Sequence, residues 1–562
     1  MRLRAMRNIA VLIGATTGSV VFAGSFTWVG GVGNWSDAAM WGGTVPATGS
    51  DVNIDGGNAA ASVVNFNTNA SVANLTIDAN DILQTVGTGR LLTVSSSIVN
   101  NGELRLRDAG GSVCDLRIAG VVSLSGSGTF WFDSDDDNRI IPGLNGNIDT
   151  LIVGPDQLMT TSALTMFDNS LISVLLENDG IVEANGGNID LETGLKTNRN
   201  LMRAVNGGNL RFQSVTVNNT GAEIEAAADS TITYEGATLV GGDLTGAGTH
   251  FIDTSDATFD GTGEAVHIST EATVDMGATS GQALQLKGTI VNDGVIRLED
   301  VGGSVTDIHI EGIVNLNGSG EIRLEGDDDN RIIPIVNGNV DTLIVGSDQA
   351  ITTNDETTFD NSLISVLVTN NGLIEVNGGD MDIESAPKVN HGLMRARNGG
   401  NLRFQNVQVT NTGAEIQADT DSFVSLEGAT IIGGTLRGPG NFDVGTSDAV
   451  FNGVLNPFTI TSDATVNLVG ASSRAVRLIG NIVNDGRIVI SDTGSGLNDL
   501  HIEGPVTLGG SGEIVFDGTE NNRIIAIVNG NTDILTIGAQ QRLTTVNGTD
   551  LDSTVDVKFV ND

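Results

Sequence analysis

The chain has 562 residues, of which 69 are Asp or Glu and 27 are Lys or Arg, so its formal net charge is −42. This charge argues against partners such as nucleic acid or anionic membrane surfaces, because both are bound by clustered Lys and Arg. Glycine is abundant, with 75 residues, and cysteine occurs once, which excludes an intramolecular disulfide scaffold and argues against a cysteine-based zinc site.

Residues 1–23 have the pattern of a secretory signal peptide. Arg2, Arg4 and Arg7 precede an apolar run over residues 9–22, and compact residues before Gly24 predict cleavage after Ala23. The run is shorter than the roughly 20 apolar residues that a membrane-spanning helix needs, and no later segment is apolar enough to span. We therefore expect an exported mature chain without a membrane span, located extracellularly or on a bacterial cell surface.

Residues 24–75 are predicted to form an aromatic cap and the first coils of the fold. Trp28, Trp35 and Trp41 lie here and are three of the four tryptophans in the chain. The end of a stack of strands exposes open edges and core, so a bulky cap is needed there. Stacking of a carbohydrate on Trp28, Trp35 or Trp41 is the alternative interpretation.

An internal repeat of 192 residues extends over the rest of the chain. Segments 99–154 and 291–346 are identical at 35 of 56 positions without a gap. The element Asn138-Arg139 recurs as Asn330-Arg331 and as Asn522-Arg523. The repeat predicts copy one at 76–267, copy two at 268–459 and a truncated copy three at 460–562.

A finer period within each copy predicts the fold. Gly372, Gly392 and Gly413 mark turns 20 and 21 residues apart, and apolar residues between turns occupy every second position, as in 103–106 and 209–212. This alternation is typical of strands with one buried face. We predict an all-β chain forming a single elongated right-handed parallel β-helix, or β-solenoid, with coils of about 20 residues. Roughly 27 coils would make a rod roughly 130 Å long.

The densest acidic cluster precedes an apolar strand in copies one and two. Its candidate ligands are Asp133, Asp135, Asp136 and Asp137, and in copy two Asp327, Asp328 and Asp329. Closely spaced carboxylates could hold calcium through oxygen ligands. The alternative is a solvated turn, which the thinning of this cluster in copy three favours. No other cofactor is expected.

The sequence offers no constellation that is typical of catalysis. No two histidines lie at ligand spacing, and none keeps its type in all three copies. Cys114 aligns with Thr306 and Asn498, so we expect an ordinary exposed or half-buried position rather than a nucleophile.

The segment 26–54 resembles the N-terminal start of large bacterial secreted and surface proteins of the autotransporter and filamentous-haemagglutinin kind. The resemblance rests on the Trp-x-Gly-Gly-x-Gly-x-Trp block at 28–35, and repeats such as 313–320 and 428–436 are similar to those of β-helical passenger regions. It implies export, and often adhesion or surface display. Autotransporters end in a membrane β-barrel, whereas this sequence ends partway through a repeat. The anchor is therefore expected to be absent, supplied by another protein, or lost because the sequence is a fragment.

These patterns favour an exported, non-catalytic β-solenoid that serves as a cell-surface stalk or adhesin-like module. Surface glycans, or proteins on a host or cell surface, are the expected partners. The similarity of the copies supports this hypothesis, since an active site would normally occupy one place on the rod. The alternative is a carbohydrate-active β-helix (a polysaccharide lyase or hydrolase) or a carbohydrate-binding protein, which predicts a groove with aromatic and charged residues. A calcium-stabilised structural protein is a third hypothesis.

Overall fold

The computed structural model describes residues 23–55, 57, 60–107, 113–133, 138–162, 169–277, 281–300, 305–326, 330–336, 340–354, 361–470, 473–492, 496–518, 522–527, 532–546 and 553–562. The chain is all-β, with 64 % strand and 1 % helix, and forms a single parallel β-solenoid of about 20 turns. The predicted fold class is thereby confirmed.

The described residues contain 60 strands and one short 3-10 helix, Ala38–Trp41. Strands β1 to β10 are Ser25–Thr27, Val32–Asn34, Ser50–Ile54, Val63–Phe66, Ala70–Ile77, Ile82–Thr85, Leu91–Asn100, Glu103–Leu106, Cys114–Ile118 and Val121–Ser125. Strands β11 to β20 are Thr129–Phe132, Asn138–Pro142, Thr150–Val153, Leu158–Thr161, Asn169–Ile172, Leu175–Asn178, Ile181–Asn185, Asn188–Glu192, Lys196–Asn198 and Leu201–Val205. Strands β21 to β30 are Asn209–Gln213, Thr216–Asn218, Glu223–Ala226, Thr231–Glu235, Thr238–Val240, Gly242–Thr245, Thr249–Ile252, Ala257–Ile268, Thr273–Met276 and Ala283–Asn292.

The second half of the chain continues in the same way. Strands β31 to β40 are Val295–Asp300, Thr306–Asn317, Glu321–Gly326, Asn330–Pro334, Thr342–Val345, Ala350–Thr353, Asn361–Ile364, Leu367–Asn370, Leu373–Asn377 and Asp380–Glu384. Strands β41 to β50 are Lys388–Asn390, Leu393–Arg397, Asn401–Gln405, Gln408–Thr410, Glu415–Ala418, Phe423–Glu427, Thr430–Ile432, Gly434–Arg437, Asn441–Val444 and Ala449–Ile460. Strands β51 to β60 are Thr465–Gly470, Arg474–Asn484, Arg487–Asp492, Asn498–Gly509, Glu513–Gly518, Arg523–Ala526, Ile534–Ile537, Arg542–Thr545, Thr554–Asp556 and Lys558–Asn561.

Alternation of apolar and polar residues places every second side chain in the core. In β8, Leu104 and Leu106 are buried while the flanking Glu103 and Arg105 are partly exposed. The parallel register puts Phe130 of the next turn directly beside Leu104. Like positions therefore stack along the axis and form one continuous apolar core.

The coils are longer than the sequence period suggested. Turns lie about 24 residues apart, rather than about 20. The spacing is uneven, because Ile181 pairs with Leu201 after 20 residues while Val121 pairs with Thr150 after 29. Long loops at some corners account for the difference, and about 20 turns at about 4.8 Å per turn give a rod about 95 Å long.

The strands form three faces, which follow one another around each turn. Face A contains β8, β11 and β14, face B contains β9, β12 and β15, and face C contains β10, β13 and β16. Long strands such as β28, β30 and β32 bend around the corner between faces C and A. Gly288 lies at such a bend with φ +67°, and a Cβ there would come within 2.5 Å of the Gly261 backbone. Only glycine fits this close approach.

The 192-residue repeat does not contain a whole number of turns. From β8, face A recurs eight times, in β11, β14, β17, β20, β23, β26 and the C-terminal halves of β28 and β30. The counterpart of β8 in copy two is β31, which pairs with β29 on face B. The counterpart in copy three is β53, which pairs with β51 on face C. Each copy is therefore displaced by one face around the rod relative to the preceding copy.

Buried asparagines join successive turns at one corner. The Asn178 side chain donates to Asn198 Oδ1 and Asn198 donates to Asn219 Oδ1, at 2.8 Å in both cases. Asn370, Asn390 and Asn411 repeat this ladder in copy two with the same distances. Such ladders satisfy backbone and side-chain polar groups that burial would otherwise leave unpaired.

Candidate functional site

The three N-terminal tryptophans lie inside the first turns of the solenoid, and at most 5 % of each residue is exposed. The Trp41 ring packs edge-on against Trp28 and Trp35, with centroids 4.9 Å apart in each pair. Trp35 in turn packs against Phe66. The rings fill the end of the core, as a cap would, and sugar stacking would need a ring face that they do not present.

Of the copy-one acidic cluster, Asp133 belongs to the described residues. It is buried and forms an ion pair with Arg105, with Nη1 and Oδ2 3.2 Å apart. Asp135, Asp136, Asp137, Asp327, Asp328 and Asp329 lie outside the described residues. Within the part of the chain that is described, no group of three or more His, Cys, Asp or Glu could hold a metal ion. Calcium binding at this turn stays a prediction.

The arginine of the repeated Asn-Arg element links neighbouring turns in each copy. Arg139 binds Asp115 through two contacts, Nε–Oδ1 at 2.8 Å and Nη2–Oδ2 at 3.1 Å. The equivalent two-contact pairs are Arg331–Asp307 and Arg523–Asp499. A paired geometry of this kind adds specificity to the register between turns. It is the same in all copies and so is part of the architecture.

Copy one contains a buried polar pair that copy two lacks. His250 and Tyr234 are fully buried, and Tyr234 Oη lies 3.2 Å from His250 Nδ1. His250 Nε2 lies 3.0 Å from the Thr245 carbonyl, which can only accept, so the neutral imidazole carries its proton on Nε2 and accepts from Tyr234 at Nδ1. Burial lowers the pKa of His250 to about 4. Both side chains have hydrogen-bond partners, and neither is exposed to solvent.

Three further reactive side chains are also buried. Cys114 is fully buried, which corrects the expectation of an exposed or half-buried position; its place at the start of β9 points it into the core. Lys196 and its counterpart Lys388 are buried as well, and Lys196 Nζ donates to the carbonyls of Val174 and Glu192 at 2.6 and 2.7 Å. Burial lowers the pKa of both lysines to about 7.

A shallow groove between turns recurs in copies two and three. In copy two it is lined by Asp293, Ser319, Glu321 and Asp348 among others. The equivalent groove in copy three contains Asp485, Ser511 and Glu513. Its lining in the described residues is polar and charged, with Arg487 and Arg542 beside the carboxylates in copy three, and it contains no aromatic ring, unlike the groove that the carbohydrate hypothesis predicts.

The most elaborate surface feature is the loop between β12 and β13. The carboxylate of Asp149, which is fully buried, accepts backbone N–H bonds from Gly120, Leu144 and Asn145 at 2.6, 2.6 and 2.7 Å. Although burial raises the pKa of Asp149, the backbone hydrogen bonds led by Gly120 lower it below its ordinary value. The buried charge therefore holds the loop in one conformation.

This anchored loop carries apolar side chains outward. Leu144 and Ile148 are 74 % and 56 % exposed, and Val121, which follows the anchored Gly120, is 60 % exposed. Gly146 packs inward, where a Cβ would come within 2.9 Å of Thr193 Cγ2. Val121, Leu144 and Ile148 are called the copy-one loop patch below.

The same arrangement recurs in copy two. Asp341 accepts from the backbone N–H of Gly312 and of Val336 at 2.8 Å each. The copy-two loop patch consists of Ile313, Val336 and Val340, whose exposed fractions lie between 60 % and 75 %.

Copy three keeps the anchor but has different residues at the described patch positions. The buried Asp533 accepts from Gly504 at 2.8 Å. Pro505 and Thr532 are exposed at the patch positions, and the residues between 527 and 532 lie outside the described chain.

The three loops face different directions because the copies are displaced around the rod. The copy-one loop lies at the corner between faces B and C, where β12 ends and β13 begins. The copy-two loop lies between β34 on face C and β35 on face A. The copy-three loop lies between β56 on face A and β57 on face B. Successive loops are about 40 Å apart along the axis, because eight turns separate them.

A signal for this loop was present in the sequence. Asp149, Asp341 and Asp533 occupy one position in all three copies, each after an Asn-Gly-Asn element. An acidic residue kept at one position just before an apolar strand, such as 151–153, indicates a buried, hydrogen-bonded carboxylate. The sequence interpretation gave this position no role.

Comparisons with models of protein families, with curated proteins and with solved structures found no match to this chain. Among the described residues, no helix combines the length and apolarity needed to cross a membrane.

Proposed function

We propose that this chain is an exported, non-catalytic β-solenoid that acts as a cell-surface stalk or adhesin-like module. The observation that carries the proposal is the loop patch, which is anchored by a buried aspartate and repeated along a stiff rod. An array of this kind suits the display of several copies of one contact surface. Groups of exposed apolar residues at one place on a protein surface are typical of an interaction site.

Export is proposed from the N-terminal sequence. Three arginines, a short apolar run and a compact cleavage site are the elements that a secretory signal requires. Expression in a bacterial host followed by fractionation and N-terminal sequencing tests this step. Recovery of a mature chain beginning at Gly24 outside the cytoplasm is the expected result, and a cytoplasmic chain that retains Met1 would contradict it.

The adhesive role is tested by coating beads with the purified rod and measuring attachment to glycan-coated, protein-coated and rod-coated surfaces. Replacing Leu144 and Val336 with Ser should reduce attachment at least several-fold. The matched control is Leu455→Ser, which removes a still more exposed apolar side chain outside the loop patches. Equal attachment of all three proteins would contradict the proposal.

The carbohydrate-active alternative has a separate readout. The chain is incubated with acidic polysaccharides, with and without calcium, and the products are examined for unsaturated or shortened sugars. We expect none. Release of such sugars would replace the stalk hypothesis with an enzymatic one.

A further inference from the structure

We propose that the loop patches of copies one and two each bind the equivalent patch of another copy of this chain. This inference names the partner of the display surface proposed above. Its test uses purified protein, so that its failure can be separated from a failure of export or of attachment to other surfaces.

The distribution of charge supports a second copy as the occupant. Two strongly acidic rods, from a sequence whose formal charge is −42, repel one another except where the surface lacks carboxylates. The segments 118–125 and 140–148, which form the copy-one loop patch and its surroundings, contain no charged residue. In copy two, segments 312–320 and 332–340 are likewise free of charge, and the neighbouring Glu311 is paired with Lys287 at 2.8 Å. These patches are places where two such rods can approach closely.

The rigidity of the loop supports binding as well. Asp149 fixes the backbone on both sides of Leu144 and also at Gly120, the residue before Val121. A surface that is already ordered loses little conformational entropy when it is covered. In copy two, Asp341 fixes the backbone at Gly312, the residue before Ile313, and at Val336.

The placement of the patches determines the form of the assembly. A patch that binds its own equivalent makes an isologous contact between two rods. Because the copy-one and copy-two patches lie at different corners and about 40 Å apart along the axis, one neighbour does not cover both in this manner. Each rod therefore joins one neighbour through copy one and another through copy two, which produces open-ended chains of rods.

Sedimentation velocity of the full mature chain tests this model. The wild-type protein should form species larger than dimers as its concentration rises. Association should strengthen when salt is raised from about 0.02 M to about 0.5 M, because screening weakens the repulsion between rods. A protein that remains monomeric at every concentration and salt level overturns the proposal.

Variants that remove one patch at a time give a sharper test. Leu144→Ser with Ile148→Ser, or Val336→Ser with Val340→Ser, should leave one patch and therefore stop at dimers. The four-site variant should be monomeric. Leu455→Ser serves as the control and should associate like the wild type. Association of the four-site variant at the wild-type level, or equal loss in the control, overturns the proposal.

A crosslinking measurement does not depend on removing apolar residues. Cys114 is buried, so Asn147→Cys places a single accessible thiol at the tip of the copy-one loop. Mild oxidation should give a disulfide-linked dimer at least about tenfold faster than in Thr262→Cys, a control thiol outside the loop patches. Equal rates in the two variants contradict a contact at this loop. Far-ultraviolet spectra and melting temperatures confirm that each variant is folded.

Discussion

Segments 231–252 and 423–444 occupy equivalent places in copies one and two but have different interiors. In copy one, Tyr234 and His250 form a buried hydrogen-bonded pair. In copy two the same positions hold Leu426 and Phe442, which are also fully buried. The strands around them keep the same register, with Ile232 beside His250 and Val424 beside Phe442.

The comparison shows that the backbone of a coil tolerates either an apolar or a polar interior, provided that the polar groups are satisfied. The turn residues and the inter-turn ladders are shared by both copies, whereas the interior pair is not. Coil geometry therefore depends on corners and register, and the interior residues determine how the coil responds to mutation and pH.

Phe442→His should produce the largest difference between the two regions. The imidazole would face Leu426, which cannot hydrogen-bond to it, so one buried nitrogen would stay unpaired and apolar contacts would be lost. We expect a local loss of about 3 kcal/mol, seen as amide exchange at 423–444 that is about 100-fold faster. Adding Leu426→Tyr should recover part of the loss. A double variant as unstable as the sum of both single changes would contradict this explanation.

Mild acid should produce the second-largest difference in stability between the two regions. The pKa of His250 is lowered to about 4 by burial, whereas an unfolded histidine titrates near 6.5. Between these values the unfolded chain binds the additional proton, so stability is full above about pH 6.5 and falls as the pH drops towards 4. The loss should reach about 2 kcal/mol at about pH 5 in segment 231–252.

Hydrogen exchange between about pH 6.5 and 5, corrected for the intrinsic rate, measures this effect. Segment 423–444 is the internal control, because Phe442 does not titrate. Equal loss of protection in the two segments would show that His250 is not responsible.

His250→Phe should have a smaller effect at neutral pH. It makes copy one resemble copy two but leaves the Tyr234 hydroxyl without its acceptor, at a cost of about 1 kcal/mol. The same change should abolish the acid sensitivity of segment 231–252. Denaturant midpoints at about pH 7 and pH 5 provide the measurement, and retained acid sensitivity would contradict the assignment.

The smallest difference between copies is expected at the buried lysines. Lys196 and Lys388 both have a pKa lowered to about 7 by burial, whereas an unfolded lysine titrates near 10.4. The unfolded chain binds more protons in this range, so stability should rise as the pH increases from about 7 to 10. Segments 172–196 and 364–388 should gain protection equally. Substitution of either lysine by Met should remove the gain in its own segment only.

The sequence predicted the fold class well because its physical signals are local. Alternation in segments such as 103–106 shows which side chains face the core, and glycine or asparagine at corners shows where the chain turns. The 192-residue repeat then showed that the pattern continues along the chain. The number of residues per turn was harder to predict, because loops such as 142–149 add residues that the alternation within strands does not reveal.

The displacement of the copies by one face and the pairing of distant side chains could not be predicted from this pattern. A repeat length alone does not show whether the intervening turns are whole, because the number of residues per turn varies from 18, between Thr231 and Thr249, to 32, between Arg139 and Leu171. Tyr234 and His250 meet because a turn closes between them, and copy two holds the apolar Leu426 and Phe442 at the same positions. The anchoring role of Asp149 was within reach, because three copies keep the residue, but its burial became visible only with the loop in place.

Because each copy is displaced by one face, duplication of this sequence adds a loop that faces a new direction. Successive copies therefore point their loops to successive sides of the rod, although their sequences are similar. Three units complete one circuit, and a fourth would return its loop to the side of the first. Each repeat spans eight whole turns and one additional face. A gene segment that is duplicated without change therefore places its loop on a new side of the rod.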